Sequence, residues 1–280
     1  SGYRNMVSLD FGGCADASSV ENMSWMIEHC NSLTEVDLSG LDTSHVTSIN
    51  GLFNSCPSLV SVNFGNMDTS RVDNMAAMFN GCVSLESLDL SGFDTSRTTD
   101  MGFMFEGCES LTSLDLSNFN TGRVIFMGGM FRRCASLRTL DVSGFDTSRA
   151  NYMDSMFASC TNLESLDLSG FDTSRVSRMD YMFFDCTNLK SLNLSGVDTS
   201  RVTTMEEMFH NCQNLQSLNI FGFDMSRVTN TNKMLDACPN LRIDTLPAQV
   251  TEAVSVPAPA AHTATELPVL RSDRLDSRYI

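Results

Sequence analysis

CVSLESLDLSGFDTSRTTDMGFMFEG, residues Cys82–Gly107, is one unit of a repeat. CTNLESLDLSGFDTSRVSRMDYMFFD, Cys160–Asp185, follows it column by column, and nine cysteines from Cys30 to Cys238 recur every 26 residues without a slip. A fixed period of this length marks a solenoid, in which each unit touches only its neighbours. Such a fold offers long surfaces more readily than a closed catalytic pocket.

The first half of each unit reads as a strand. Leu85 is followed by Leu88 and Leu90, and the same L-x-x-L-x-L spacing recurs from Leu33 to Leu215 with Val, Phe or Ile at some places. Its alternation is that of a half-buried strand. The second half changes period. Met101, Met104, Phe105 and Cys108 lie at i, i+3, i+4, i+7, an apolar stripe that predicts a short helix with one buried face. Between them, F-D-T-S-R carries side-chain oxygens able to cap a helix or close a turn. Neither a short strand nor a two-turn helix stands alone. Stacked in register, the units predict an α/β solenoid. It is an arc of nine 26-residue strand–turn–short-helix units with a parallel sheet on one face, roughly 40 Å along its ridge.

The string LxSLDLSGFDTSRVxxMxxMFxxC resembles the BspA-like leucine-rich repeats of bacterial surface proteins, over about Asn5 to Leu246. The resemblance implies a leucine-rich-repeat-like fold, surface exposure and adhesion, without one shared site. One column departs from many leucine-rich repeats. Three residues after the L-x-L pair, where Asn or Cys is common, stand Leu41, Met67, Phe93, Phe119, Phe145, Phe171, Val197 and Phe223. The asparagine ladder is absent, and the adjacent Asp-Thr pair is expected to satisfy the turn instead.

The ends differ from the middle. Residues 1–29 read as a degenerate capping repeat, 30–246 as the solenoid and 247–280 as a linker or tail. Four of the chain's six prolines lie in the tail, among Ala, Thr, Val and Ser, and the period is gone. Such a composition predicts an extended, mobile segment, either a tether or a bland end. The chain begins Ser-Gly, and no signal segment or apolar run long enough to span a membrane is visible. It reads as a mature or truncated piece with an extracellular or cell-surface location.

A net charge of −16 disfavours nucleic acid and acidic membrane surfaces as partners. The ten cysteines, nine of them at this spacing and Cys14 outside it, contain no CxxC or histidine-paired arrangement, so no metal is expected. Each thiol of the series shares the stripe with Met and Phe, as a buried free Cys does. Bridging between units about 5 Å apart is the alternative. No cofactor is implied. His29, His45, His210 and His262 fall at unrelated positions, and no nucleophile–base pair, phosphate loop or H-E-x-x-H motif occurs. The chain reads as no enzyme.

Three sets of columns are candidates for binding. Asp37, Asn63, Asp89, Asp115, Asp141, Asp167, Asn193 and Asn219 lie between the inward strand residues, on the opposite face of the sheet. That strip suits sugar hydroxyls, polar protein surface or Ca²⁺, or else is a solvated face produced by the repeat. Phe103, Phe126, Tyr152, Tyr181 and Phe184 stand where other units carry small or polar residues, and a cluster of exposed aromatics marks a partner surface. Arg71, Arg97, Arg123, Arg149, Arg175, Arg201 and Arg227 form a basic column three residues after an acidic one. Pairing between these columns is the structural reading, and sulfated or sialylated glycan binding the alternative. Together these features predict a non-enzymatic adhesin or recognition module for a protein or glycan on a host or neighbouring cell. The runner-up is a structural spacer.

Overall fold

In the computed structural model of the chain, residues 5–12 and 18–242 are described; Cys14, His262 and the tail expected over 247–280 lie outside them, and the expected cap lies partly outside. The L-x-x-L-x-L half forms strands as read. β1 (Ser8–Asp10), β2 (Glu35–Asp37) and β3 (Ser61–Asn63) pair in parallel, and β4 (Ser165–Asp167) pairs with β5 (Ser191–Asn193). The register places Val36 beside Val62 and Leu166 beside Leu192. Alternation sends Val36 and Leu38 into the core and turns Asp37 the other way. Between β3 and β4 no strand is assigned among the described residues, although Ser87-Leu88-Asp89 repeats the triplet of β4. The parallel sheet is therefore two patches rather than one continuous face.

The second half of the unit corrects the helical expectation. No helix occurs among the described residues. The chain instead makes consecutive β-turns. In the unit ending at Cys108, the N–H groups of Met104, Glu106 and Cys108 donate to the carbonyls of Met101, Phe103 and Phe105 at 3.3, 3.1 and 3.1 Å. The intervening N–H groups point along the solenoid. Met101, Phe103, Phe105 and Gly107 donate to the carbonyls of Phe126, Gly128, Met130 and Arg132 in the next unit at 2.8–3.0 Å. A helix would send each N–H to the carbonyl four residues back. Alternating turns need a left-handed residue at two places, met here by Phe103 (φ 58°) and Gly107 (φ 73°). The same two positions have positive φ from Trp25 and His29 through Lys233 and Ala237.

This turn path keeps the inward spacing that the sequence shows. Met101, Met104, Phe105 and Cys108 are each fully buried. It also carries the longest ladder. Parallel bridges run unbroken from Asn22 through Ser48, Asn74, Asp100, Phe126, Tyr152, Arg178 and Thr204 to Asn230. Continuity along the axis thus lies on the face where helices were expected.

Two core columns reinforce it. Phe53, Phe79, Phe105, Phe131, Phe157, Phe183 and Phe209 stack face to face with centroids 5.5–5.8 Å apart and planes within 17°. The buried threonines of D-T-S-R form the second. Thr69 Oγ1 donates to the Asp94 carbonyl at 3.0 Å and accepts the Asp94 N–H at 2.8 Å. Thr43, Thr95 and Thr173 make the same reciprocal pair with Asp68, Asn120 and Asp198. The Asp-Thr pair therefore does the work of the missing asparagine ladder, satisfying buried backbone groups between units.

The described cysteines of the series are free thiols, all buried except half-buried Cys238. Each from Cys56 onward donates its S–H to a carbonyl of the preceding unit, as Cys134 does to Phe105 at 3.2 Å. Burial pushes the thiols of Cys56 and Cys160 up to about 12, far from the thiolate needed for reaction. The eight buried thiols of the native protein should therefore react slowly with a thiol reagent at pH 8, and all ten cysteines should react after unfolding. Thiols still missing in denaturant would contradict the free column.

Candidate functional site

The Asp and Asn residues of the strand column stand where period two put them, exposed except for half-buried Asp37. Each is also tied into its own turn. Asp89 Oδ1 accepts the Ser91 N–H at 3.0 Å and its hydroxyl at 2.6 Å. Asp37, Asp115, Asp141 and Asp167 accept from the Ser two residues on in the same way, and Asn63, Asn193 and Asn219 close equivalent turns. These serine hydrogen bonds hold the carboxyls of Asp37, Asp89, Asp115, Asp141 and Asp167 below their ordinary range. The result is a row of ionised Asp and neutral Asn acceptors in fixed register. Among the described residues, no three His, Cys, Asp or Glu side chains gather as they would around a metal ion.

The aromatic candidates divide into pairs rather than one patch. Phe126 and Tyr152 stack at 5.0 Å with planes 4° apart, both half-buried. Tyr181 meets Phe184 edge-on at 6.0 Å, and Phe184 stacks on His210 at 5.2 Å. Phe184 is only 7% exposed, so it supports Tyr181 rather than offering contact area of its own. Phe103 lies over Gly129 of the next unit; a Cβ there would sit 2.3 Å from its ring. Gly129, at φ 61°, thus leaves room for the ring. Trp25 covers Gly51 in the same manner.

The expected pairing of the Arg and Asp columns does not form. Among the described residues, no ion pair links Arg71, Arg97, Arg123, Arg149, Arg175, Arg201 or Arg227 to an acid. The acids are committed locally instead. Asp94, Asp146 and Asp172 accept the N–H of Ser96, Ser148 and Ser174 at 2.8–3.0 Å. A short-range turn bond thereby displaces a longer charge pair.

The turn face carries a polar network that the sequence reading missed. Asn80 Nδ2 donates to Glu106 Oε2 at 2.7 Å, and Glu106 Oε1 lies 3.3 Å from Nη1 of buried Arg132. Two units on, Arg178 Nε donates to Oδ2 of buried Asp180 at 3.0 Å, and Thr204 Oγ1 donates to its other oxygen. The available signal was complementary polarity at one column of successive units, as in Asn80, Glu106 and Arg132.

Asp100 on the same face has no cation partner among the described residues, and burial pushes its carboxyl up to about 6 against the opposing Gly102 N–H bond. Native Asp100 therefore binds its proton more tightly than the unfolded chain does. Its contribution falls as pH rises from about 4 to 6. The strand-column aspartates act oppositely: their contribution is present above the ordinary carboxylate value and is lost as pH falls from there through their lowered values. Thermal stability should peak between these limbs. Asn74 accepts the Ala76 N–H as Asp100 accepts that of Gly102, so Asp100→Asn keeps the turn. The variant should gain about 1–3 kcal/mol at pH 7 and almost nothing at pH 4. Equal effects at both pH values in urea unfolding would contradict this.

Residues 14–63, 51–165 and 127–249 match a family model described as "Mycoplasma protein of unknown function, DUF285". Comparison with curated proteins finds no match. Among solved structures, a leucine-rich repeat protein from Bacteroides ovatus is 17% identical at a TM-score of 0.47, over 85% of this chain and 63% of that one. The chain thus spans somewhat under two thirds of that protein's length. The leucine-rich repeat protein of T. pallidum is 19% identical at 0.42, over 78% and 82% of the two chains. A leucine-rich cell surface protein from Faecalibacterium prausnitzii is 19% identical at 0.34, over 85% and 80%. With superpositions this loose, the fold rests on the ladders of the chain itself.

Proposed function

The chain belongs to the family described as Mycoplasma protein of unknown function, DUF285, and from that footing we propose that it is a non-enzymatic recognition module or adhesin of the cell surface. The observation that carries this reading is the unbroken bridge ladder from Asn22 to Asn230. It holds outward columns in fixed register, and among the described residues no catalytic group converges on them. The strand-face row Asp37, Asn63, Asp89, Asp115, Asp141, Asp167, Asn193 and Asn219 offers repeated acceptors to a polar protein or glycan. Phe126 with Tyr152, and Tyr181 nearby in sequence, offer rigid half-buried anchors of the kind partner surfaces favour. Contacts weak singly gain strength from repetition and from multivalent display. In this proposal residues 1–29 cap the stack, 247–280 tether it, and the protein stands outside the cell.

The second reading is a spacer without a ligand. It is favoured by the turn bonds that engage one oxygen of every strand-face Asp. Binding of the full chain to an array of matrix proteins, mucins and glycans at physiological salt separates the two. Saturable binding that weakens with Phe126→Ala plus Tyr152→Ala, or with Asp115→Ala plus Asp141→Ala, is the expected result. A blank array, or hits indifferent to both pairs, would favour the spacer.

A further inference from the structure

On a chain of net charge −16, the seven arginines of the basic column stand without an ion pair among the described residues, and three of them share a groove. Arg123, Arg149 and Arg175, exposed and from three successive units, line one groove of about 240 Å³ with Thr99, Ile125 and Asn151. No carboxylate among the described residues lies within ion-pair distance of these three guanidinium groups. The neighbouring acids Asp146 and Asp172 are bound to Ser148 and Ser174. Three like charges about 4.8 Å apart per ladder step repel one another. An external anion relieves that repulsion.

The arrangement of the cations limits the ligand. They stand in line along the solenoid rather than converging, so they fit anionic groups repeated along a linear polymer and not a single small ion. Guanidinium groups bind such oxyanions through paired N–H donors. Between them, the half-buried Ile125 side chain and the Asn151 amide give an apolar patch and a hydrogen-bonding group, as the faces and hydroxyls of sugar rings require. The groove lining has no aromatic ring on which a base would stack. The acidic remainder of the protein opposes a long phosphate backbone. We propose that this groove binds a sulfated polysaccharide, with one sulfate for each of Arg123, Arg149 and Arg175 and a sugar ring over Ile125.

The groove shares no residue with the surfaces proposed above. Failure of sulfated-glycan binding therefore leaves that reading standing, and loss of every hit among proteins and unsulfated glycans leaves this one standing. The test uses the full chain and heparin oligosaccharides, followed by fluorescence anisotropy at physiological salt. Arg123→Gln with Arg149→Gln and Arg175→Gln should weaken binding by at least about tenfold. Arg71→Gln, in the same column outside the groove, should change it less than about twofold. Desulfated heparin and sialylated glycans should compete poorly. Arg149→Gln alone provides the reading if the triple variant melts early. Absence of heparin binding by the native chain, unchanged binding in the variants, or equal competition by single-stranded DNA would each overturn the proposal.

Discussion

Phe131→Ala is expected to break the solenoid's cooperativity in the middle of the stack. The Phe131 ring is fully buried and stacks on Phe105 at 5.8 Å and on Phe157 at 5.7 Å. Removing it leaves a cavity and ends two ring contacts, at a cost of about 3–5 kcal/mol. In a linear array each unit is held by its own packing and by its two interfaces. The loss therefore falls on the coupling between the halves as well as on total stability. Unfolding in urea should shift to a lower midpoint and separate into two transitions. Phe53→Ala, near the N-terminal end, should lower stability without splitting the curve. A single transition of unchanged midpoint in Phe131→Ala would contradict the stacked core.

Thr173→Val should cost about 2–4 kcal/mol while keeping volume and β-branching. The Thr173 hydroxyl donates to the Asp198 carbonyl at 2.8 Å and accepts the Asp198 N–H at 2.7 Å. Valine leaves both backbone groups without their partner at a site only 1% exposed. Thr173→Ser should recover most of the loss, because the hydroxyl and not the methyl makes the bridge. Ser174→Ala, which keeps the Ser174 N–H bond to Asp172, should have a much smaller effect. If valine and serine were equally tolerated, the threonine ladder would be a packing column only.

Burial was legible in the sequence because it depends on spacing, and both halves of the unit bury the columns their periods name. Conformation was less legible. Met101, Met104, Phe105 and Cys108 present the same inward face on a helix or on a chain of turns. The distinguishing sign was glycine at two columns four residues apart, with Gly51 and Gly129 at one and Gly81 and Gly107 at the other. Glycine is costly inside a helix and favoured where φ is positive. The charge columns misled for a related reason. Asp146 and Arg149 are close in sequence, but the Ser148 N–H lies nearer to the carboxylate than the guanidinium does. On the candidate surfaces, period two correctly put the strand-face row outward. Nothing in one unit alone shows that Phe184 is covered, because its partner His210 comes from the next unit.

Residue-resolved amide hydrogen exchange on the native chain tests most directly the claim that the turn ladder, and not a helix row or a full sheet, holds the surface rigid. The account expects slow exchange at Met101, Phe103, Phe105 and Gly107 and at counterparts in other units before the last, such as Trp25, Ala77, Tyr181 and Glu207, whose N–H groups bond to the next unit. Faster exchange is expected at Leu88 and Leu114, which lie where no strand pairing forms among the described residues. Fast exchange at Met101 and Phe103, as at the unpaired first turn of a helix, or slow exchange at Leu88 and Leu114 with fast exchange in the turns, would contradict it.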